Sequence, residues 1–63
     1  MHKNERHNEI LSIIRSERIE RQEHLVELLQ ERGFDVTQAS VSRDLVSLGI
    51  VKLNGHYTVP GSA

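Results

Sequence analysis

The residues best suited to a chemical role lie between Thr37 and Asp44, at the start of a predicted helix. Gln38, Ser42 and Arg43 point away from the apolar side of this helix and bring hydrogen-bonding groups and a guanidinium to its N-terminal end. Short polar side chains and an arginine at a helix start are suited to reading base edges in the major groove of DNA. This segment is therefore the first candidate for a functional site.

A helix over residues 38–48 must hold these side chains in place. The Thr37 hydroxyl can cap it by accepting a backbone N–H, and Val36 can pack on Val41 as a hydrophobic staple. Gly49 is expected to end the helix in a left-handed conformation, with Ile50 packed behind it. The buried stripe of the helix is predicted at i, i+4 and i+7: Val41, Leu45 and Leu48.

Two earlier helices are predicted from the same periodicity. The first spans Asn4–Ser16, with Asn4 as its cap, and the second spans Gln22–Arg32, where Gly33 and Phe34 end it. Between the two helices, Ile19 is a lone apolar residue in a short extended segment. The residues predicted to be buried are Ile10, Ile13 and Ile14 in the first helix and Leu25, Leu28 and Leu29 in the second, with Val26 at the edge.

After Gly49 the apolar residues alternate along the chain, which is typical of strands. Asn54-Gly55 is the preferred pair for a two-residue type I′ hairpin turn. Pro60 is expected to end the second strand because it has no backbone N–H to donate. One face of the hairpin is predicted to carry Val51, Leu53, Tyr57 and Val59, with Lys52, His56 and Thr58 between them.

The order of helix, short strand, helix, turn, helix and hairpin predicts an α+β, mainly α fold. It is the order of a winged helix-turn-helix, with three helices and a C-terminal β-hairpin. The short glycine-containing turn over 33–37 suits the helix-turn-helix unit, in which one helix braces the next against a duplex. We expect a DNA-binding domain over 1–60 and the start of a linker or tail over 61–63.

Composition limits the classes of protein to which the chain can belong. Its 63 residues allow a single small core, and without cysteine it has neither a disulfide nor a thiolate metal site. No apolar run is long enough for a transmembrane span or a signal peptide, and we expect a cytoplasmic protein without a membrane partner. No glycine-rich phosphate loop, nucleophile elbow or catalytic triad is recognisable, so the sequence does not predict an enzyme.

The charge balance is unusual for a DNA-binding domain. The net charge is −1 and the isoelectric point is about 6.4, whereas such domains often lie above ~9. The basic residues are clustered, as Lys3, Arg6 and His7 and as Arg15, Arg18 and Arg21. Glu23, Glu27 and Glu31 form an acidic stripe on the second helix, which we interpret as a solvated face. The alternative is a docking face for a protein partner.

Two residue types have plainer interpretations that remain open. The four histidines are His2, His7, His24 and His56. Their spacing is not that of a metal site, so we predict no bound metal, and His7 is expected to make a local hydrogen bond or a phosphate contact. For Arg43 the plain alternative to a DNA contact is a surface ion pair with Asp44 or Glu31.

The chain strongly resembles the N-terminal DNA-binding domain of bacterial arginine repressors over residues 5–60. The resemblance rests on the run Thr-Gln-Ala-Ser-Val-Ser-Arg-Asp at 37–44, on Leu45 and on Ile-Val-Lys at 50–52. Arg6-His7 and Gly33-Phe34 are similar to the same family. The resemblance implies a sequence-specific DNA-binding domain of a transcriptional regulator of arginine metabolism, whose third helix enters the major groove of double-stranded operator DNA.

The resemblance also implies that Gln38, Ser42 and Arg43 contact DNA, and we add as further candidates Thr37, Ser40, Lys52, His56 and Arg21. Arg43 can donate two parallel N–H bonds to guanine O6 and N7, and Gln38 can pair with adenine N6 and N7. Ser42 and the free N–H groups of the helix start suit phosphates. Lys52 and His56 on the hairpin wing are candidates for phosphate contact.

The second helix departs from the family pattern at its start. Members commonly place Ser or Thr there, with an acidic residue three positions later. Here Arg21 and His24 occupy those positions, so we expect the capping box to be missing, at a cost of about 1 kcal/mol. Arg21 is instead free to reach a phosphate.

The sensing function of the family has no counterpart in these residues. Arginine repressors carry a C-terminal domain that binds L-arginine as corepressor and assembles the subunits into a hexamer, so no residue here is assigned to arginine. We expect the chain to be either the DNA-binding part of a longer repressor or a naturally truncated regulator. Alone it should be a monomer or a weak oligomer, and a single copy should bind DNA weakly.

Overall fold

Three helices and a two-stranded antiparallel hairpin make up the part of the chain that the computed structural model describes, residues 2–59, with side chains described from residue 4 onward. In chain order the elements are α1 (His2–Ser16), α2 (Gln22–Glu31), α3 (Gln38–Leu48), β1 (Val51–Leu53) and β2 (His56–Thr58). This confirms the predicted α+β, mainly helical, winged helix fold. Pro60 and 61–63, predicted as strand end and tail, lie outside the described residues. No helix within 2–59 is long and apolar enough to cross a membrane.

The hydrophobic core lies where the apolar faces of the three helices meet. Its buried members are Ile10, Ile13, Ile14, Ile19, Leu25, Val26, Leu29, Val36, Val41, Leu45 and Ile50. The predicted staple residues Val36 and Val41 are both among them. For the second helix the prediction is confirmed at Leu25 and Leu29 but wrong at two residues, since Val26 is buried and Leu28 is only half-buried. The reason is that α2 contacts both α1 and α3, so its apolar face is wider than a single stripe.

The first helix begins earlier than the sequence predicts. It starts at His2, so Asn4 lies inside its first turn and the predicted Asn4 cap is wrong. An N-cap residue must have non-helical dihedral angles, which a residue within the helix does not have. Neither His2 nor Lys3 is a glycine or proline, so the helix extends through them and gains backbone hydrogen bonds.

Both predicted glycine stops are confirmed. Gly33 and Gly49 adopt left-handed conformations, with φ of 93° and 71°. The N–H of the residue after each glycine donates to the carbonyl five positions back, at 3.0 Å for Phe34 and 2.9 Å for Ile50. These bonds satisfy carbonyls that the helix ends leave unpaired and turn the chain sharply. The second helix ends one residue before the predicted Arg32, which serves as its C-cap.

The predicted Asn54-Gly55 turn is confirmed, but the predicted hairpin face is wrong. Both turn residues have positive φ, 53° and 85°, as a type I′ turn requires. A two-residue turn pairs the residues that flank it, so the register is Val51↔Thr58, Lys52↔Tyr57 and Leu53↔His56. Directly paired residues share a face. Lys52 therefore lies beside Tyr57, whereas the exposed Leu53 lies beside His56.

The expected short strand around Ile19 is reduced to one backbone hydrogen bond. The Ile19 carbonyl accepts the N–H of Tyr57 at 2.8 Å, and the Ile19 side chain is fully buried. Within residues 2–59 the sheet contains only β1 and β2. The segment between α1 and α2 thus anchors the hairpin against the helices without forming a third strand.

Candidate nucleic-acid interface

A reciprocal cap between Thr37 and Ser40 holds the start of α3. The Thr37 hydroxyl accepts the Ser40 backbone N–H at 3.2 Å, and the Ser40 hydroxyl accepts the Thr37 backbone N–H at 2.9 Å. The predicted Thr37 cap is confirmed. The Ser40 half of the box was not predicted, because Glu or Gln is the usual residue at that position. The Ser40 hydroxyl, a predicted DNA contact, is thus already engaged within the protein.

The side chains predicted to read DNA lie on the exposed side of this capped helix. Gln38, Ser42 and Arg43 are all exposed. Arg43 makes no hydrogen bond or ion pair with any residue that the structure describes, so the predicted alternative of a surface pair with Asp44 or Glu31 is not realised. All five N–H donors of its guanidinium are available.

Asp44, the next residue along α3, has the opposite environment. It is 3% exposed and accepts hydrogen bonds from two residues of α1. Arg6 donates through Nε to one oxygen and through Nη2 to the other at 2.9 Å, and His7 Nε2 lies 3.0 Å from the second oxygen. The His7 contact spans 37 positions in sequence and is therefore not the local hydrogen bond that the sequence suggests. This cluster joins α3 to α1.

The electrostatics of the cluster favour a charged carboxylate. Burial alone raises the pKa of Asp44, but the hydrogen bonds from Arg6 and His7 outweigh it and hold the pKa below its ordinary value. The bond to Asp44 in turn raises the pKa of Arg6. The sequence contains a signal for the burial of Asp44. It lies three residues after Val41 and one before Leu45, within the apolar stripe of α3.

A second contact that the sequence did not predict joins the starts of α2 and α3. Gln22 Nε2 donates to the backbone carbonyl of Gln38 at 2.9 Å and to its side-chain Oε1 at 2.9 Å. Gln22 is the first residue of α2 and Gln38 the first of α3. One of the predicted DNA-reading side chains is therefore held by the neighbouring helix.

Arg21 occupies the N-cap position of α2 without capping it. Its backbone is extended, with φ of −127° and ψ of 139°, and its side chain makes no capping hydrogen bond. The expected loss of the capping box at Arg21 and His24 is confirmed. The Arg21 side chain is exposed and unpaired within the described residues, and its neighbour Gln22 contacts the start of α3. Arg21 thus adds an unpaired positive charge near the reading side chains.

The hairpin carries the other two predicted DNA-contacting residues, on different faces. Lys52 is exposed, with Nζ 5.6 Å from the centre of the Tyr57 ring, a cation–π distance. His56 is half-buried, with Nδ1 3.3 Å from the Tyr57 carbonyl. Glu20 lies near both: its hydrogen bond with Arg18 lowers its pKa most, and the charges of Lys52 and His56 lower it further. This carboxylate offsets part of the positive charge of the hairpin.

The three glutamates predicted to form a stripe on α2 are exposed: Glu23, Glu27 and Glu31. None of them pairs with a cation among the described residues. Arg32, at the end of the same helix, is instead bound to Glu9 of α1, and its Nη2 lies 3.8 Å from Glu17. The acidic stripe therefore remains a solvated face, on the helix that braces α3.

Comparison with known proteins identifies the family of the chain. A family model described as "Arginine repressor, DNA binding domain" matches residues 1–60. The chain belongs to this family. Membership makes it a DNA-binding domain of repressors of transcription rather than an enzyme, as the sequence resemblance implies.

Three arginine repressors illustrate the similarity and its extent. That of Halothermothrix orenii is 57% identical over 51 residues, covering 81% of this chain and 34% of the relative. That of Caldicellulosiruptor saccharolyticus is 59% identical over 51 residues, again covering 81% of this chain and 34% of the relative. That of Desulfitobacterium hafniense is 46% identical over 66 residues, covering 97% of this chain and 44% of the relative. The chain thus spans between 34% and 44% of these curated relatives.

Proposed function

We propose that the chain reads operator DNA for a transcriptional regulator of arginine metabolism. In this proposal α3 enters the major groove, and the hairpin of β1 and β2 acts as a wing on the adjacent backbone or minor groove. The observation that carries the proposal is the environment of Arg43. It stands exposed in the middle of the capped helix α3 and pairs with no described residue, while Asp44 beside it is bound to α1.

Each exposed group near the helix start has a role suited to its chemistry. Arg43 donates two parallel N–H bonds to guanine O6 and N7, and Gln38 bonds to a purine edge. Ser42 and the free N–H groups of the helix start bind phosphate, to which the positive end of the helix dipole adds attraction. Lys52 and His56 hold the wing to the backbone, and Arg21 contacts a phosphate beside α2.

Regulation by arginine belongs, in this proposal, to a further domain of the whole regulator. L-arginine is the corepressor of that domain, and no residue of this chain is assigned to it. We further propose that six copies of the whole regulator assemble in the cytoplasm. Assembly is needed because a domain of net charge −1 neutralises few phosphates, so one copy binds weakly.

Arg43 provides the decisive experiment, using a duplex selected by the chain from a random-sequence pool. Arg43→Ala should weaken binding to that duplex by about 10-fold to 100-fold, equivalent to 1–3 kcal/mol, and should leave the thermal unfolding midpoint unchanged. Arg43→Lys keeps the charge but loses the planar fork, so it should lose sequence preference and keep binding to a scrambled duplex.

Arg15→Ala is the matched control, because Arg15 is also exposed and unpaired within the described residues but lies on α1. It removes the same charge near the hairpin, where Arg15 lines a pocket with His56, so any loss of binding should be equal on the selected and the scrambled duplex. If Arg43→Ala bound the selected duplex as tightly as the wild type, the proposed reading of DNA by α3 would be wrong.

A second candidate function is protein docking through the acidic stripe of α2. It is supported by the exposure of Glu23, Glu27 and Glu31 without ion pairs to described residues. Replacing all three by glutamine separates the two functions. DNA reading by α3 predicts unchanged or tighter duplex binding, because negative charge near phosphate is removed. Docking predicts no effect on DNA from either this variant or Arg43→Ala.

A further inference from the structure

The contact between Gln22 and Gln38 fixes the orientation of both side-chain amides. The Gln38 backbone carbonyl can only accept a hydrogen bond, so the group that Gln22 presents to it must be the NH₂ group. The same NH₂ group donates to the Gln38 side chain at 2.9 Å, so Gln38 must turn its Oε1 toward Gln22. The Gln38 NH₂ group consequently faces away from α2.

We propose that Gln22 is a positioning residue for base recognition, which acts by making Gln38 present its NH₂ group to the base. This rests on the proposed function of α3. A donor facing the groove matches guanine N7 and O6 or adenine N7, whereas an amide oxygen facing it matches cytosine N4 or adenine N6. Gln22 thereby favours a base that offers a hydrogen-bond acceptor at the one position that Gln38 contacts.

The positions of the two side chains support an action of Gln22 through Gln38. Gln22 is half-buried whereas Gln38 is exposed, so the outer member of the pair is the one available to a duplex. Gln38 has no other hydrogen-bond partner among the described residues, so its NH₂ group is free. Holding a long side chain in one orientation before binding also lowers the entropy lost on binding.

The first experiment removes the contact. On a duplex selected by the wild-type chain from a random-sequence pool, Gln22→Ala should weaken binding roughly threefold to tenfold, the effect of one side chain left mobile. In a Gln38→Ala background the same substitution should have no effect, because the group through which it acts is absent. A drop of equal size in both backgrounds would show that Gln22 acts without the Gln38 side chain, by binding DNA itself or through the Gln38 backbone carbonyl, and would overturn the proposal.

The second experiment reverses the orientation of the Gln38 side-chain amide. The carboxylate of Gln22→Glu can only accept, so Gln38 should turn its NH₂ group toward it and its oxygen toward the base. The fold should survive, because a negative charge at the first residue of a helix is favourable. Two duplexes are compared that differ only in carrying guanine or cytosine at the base that Gln38 contacts. The affinity for the cytosine duplex relative to the guanine duplex should rise by at least about threefold. Such a ratio cancels the uniform loss that the added charge causes.

Gln30→Glu is the matched control. Gln30 lies on the same helix and also donates to a backbone carbonyl, that of Val36 at 3.1 Å, but does not contact Gln38. It should lower all affinities without moving the ratio. If Gln22→Glu left the ratio unchanged while Arg43→Ala lost specific binding, the positioning role would be wrong and the proposed function would stand. A wild-type chain without sequence preference would overturn both.

Discussion

Asp44 binds the guanidinium of Arg6, a residue 38 positions earlier in the chain, through both of its carboxylate oxygens. The Asp44 side chain is 5% exposed and that of Arg6 is 23% exposed, so the pair is largely shielded from water. This pair ties α3 to α1 beside the exposed Arg43, since Arg6, Asp44 and Arg43 line one surface pocket. The orientation of the predicted DNA-reading face therefore depends on an ion pair that adjoins it.

Removing Asp44 should destabilise the domain substantially. Asp44→Ala leaves Arg6 and His7 without their acceptor, and hydrogen bonds between charged groups contribute about 1.5–3 kcal/mol. We expect the free energy of unfolding, measured by urea denaturation with circular dichroism, to fall by about 2 kcal/mol. Asp35→Ala is the control, since Asp35 is exposed and should change stability by less than about 0.5 kcal/mol. Equal small effects from both variants would contradict the structural role of the pair.

The Asp44 carboxylate should also make the free energy of unfolding depend on pH in the acid range. Because the folded pKa of Asp44 lies below its ordinary value, its contribution is complete above about pH 4 and is lost as the pH falls through the folded value. The difference in unfolding free energy between wild type and Asp44→Asn should therefore shrink as the pH falls below about 4. Urea titrations at a series of pH values test this, and a difference that grew toward acid would have the wrong sign.

Most of the fold was predictable because its signals are local. The spacing of apolar residues predicted the three helices, and Gly33 and Gly49 predicted the ends of the second and third. The burial of Asp44 could be predicted from its place in the apolar stripe, but its partners and those of Gln22 could not, since nothing in a sequence says which of many polar residues 38 or 16 positions apart will meet. The predicted hairpin face was wrong, although the sequence contained the information that contradicts it. A two-residue turn at Asn54-Gly55 already requires Leu53 to pair with His56.

Two of the serines of α3, Ser40 and Ser42, should separate stability from DNA binding. Ser40→Ala removes the hydroxyl that accepts the Thr37 N–H and should lower the free energy of unfolding by about 1 kcal/mol. Ser42→Ala removes an exposed hydroxyl and should change stability by less than about 0.5 kcal/mol. Ser42→Ala should instead weaken duplex binding at all sequences, as expected for a phosphate contact. Thermal unfolding and fluorescence anisotropy distinguish the two variants, and reversed effects would contradict this division.

The start of α2 should show a conflict between stability and binding. Arg21→Thr with His24→Glu supplies the missing capping box and should raise the free energy of unfolding by about 1 kcal/mol. Because it also removes an unpaired positive charge, binding to any duplex should weaken and the slope of log affinity against log salt should fall by about 1. A stabilised variant with unchanged salt dependence would show that Arg21 does not contact a phosphate.

Joining two copies of the chain should tighten DNA binding without any new contact. The Cα extents of 28 × 21 × 20 Å are shorter than the helical repeat of about 34 Å, so two copies can occupy successive major grooves on one side of a duplex. A flexible linker then supplies a high effective concentration, and the gain should be about 100-fold or more in a gel-shift titration. The control duplex separates the two sites by an extra half turn, about 5 bp, which places them on opposite sides of the DNA. There the gain should largely disappear, because the linked copies can no longer bind together. Equal affinities of the single and joined chains on the in-phase duplex would contradict the view that assembly supplies the affinity that one weakly charged domain lacks.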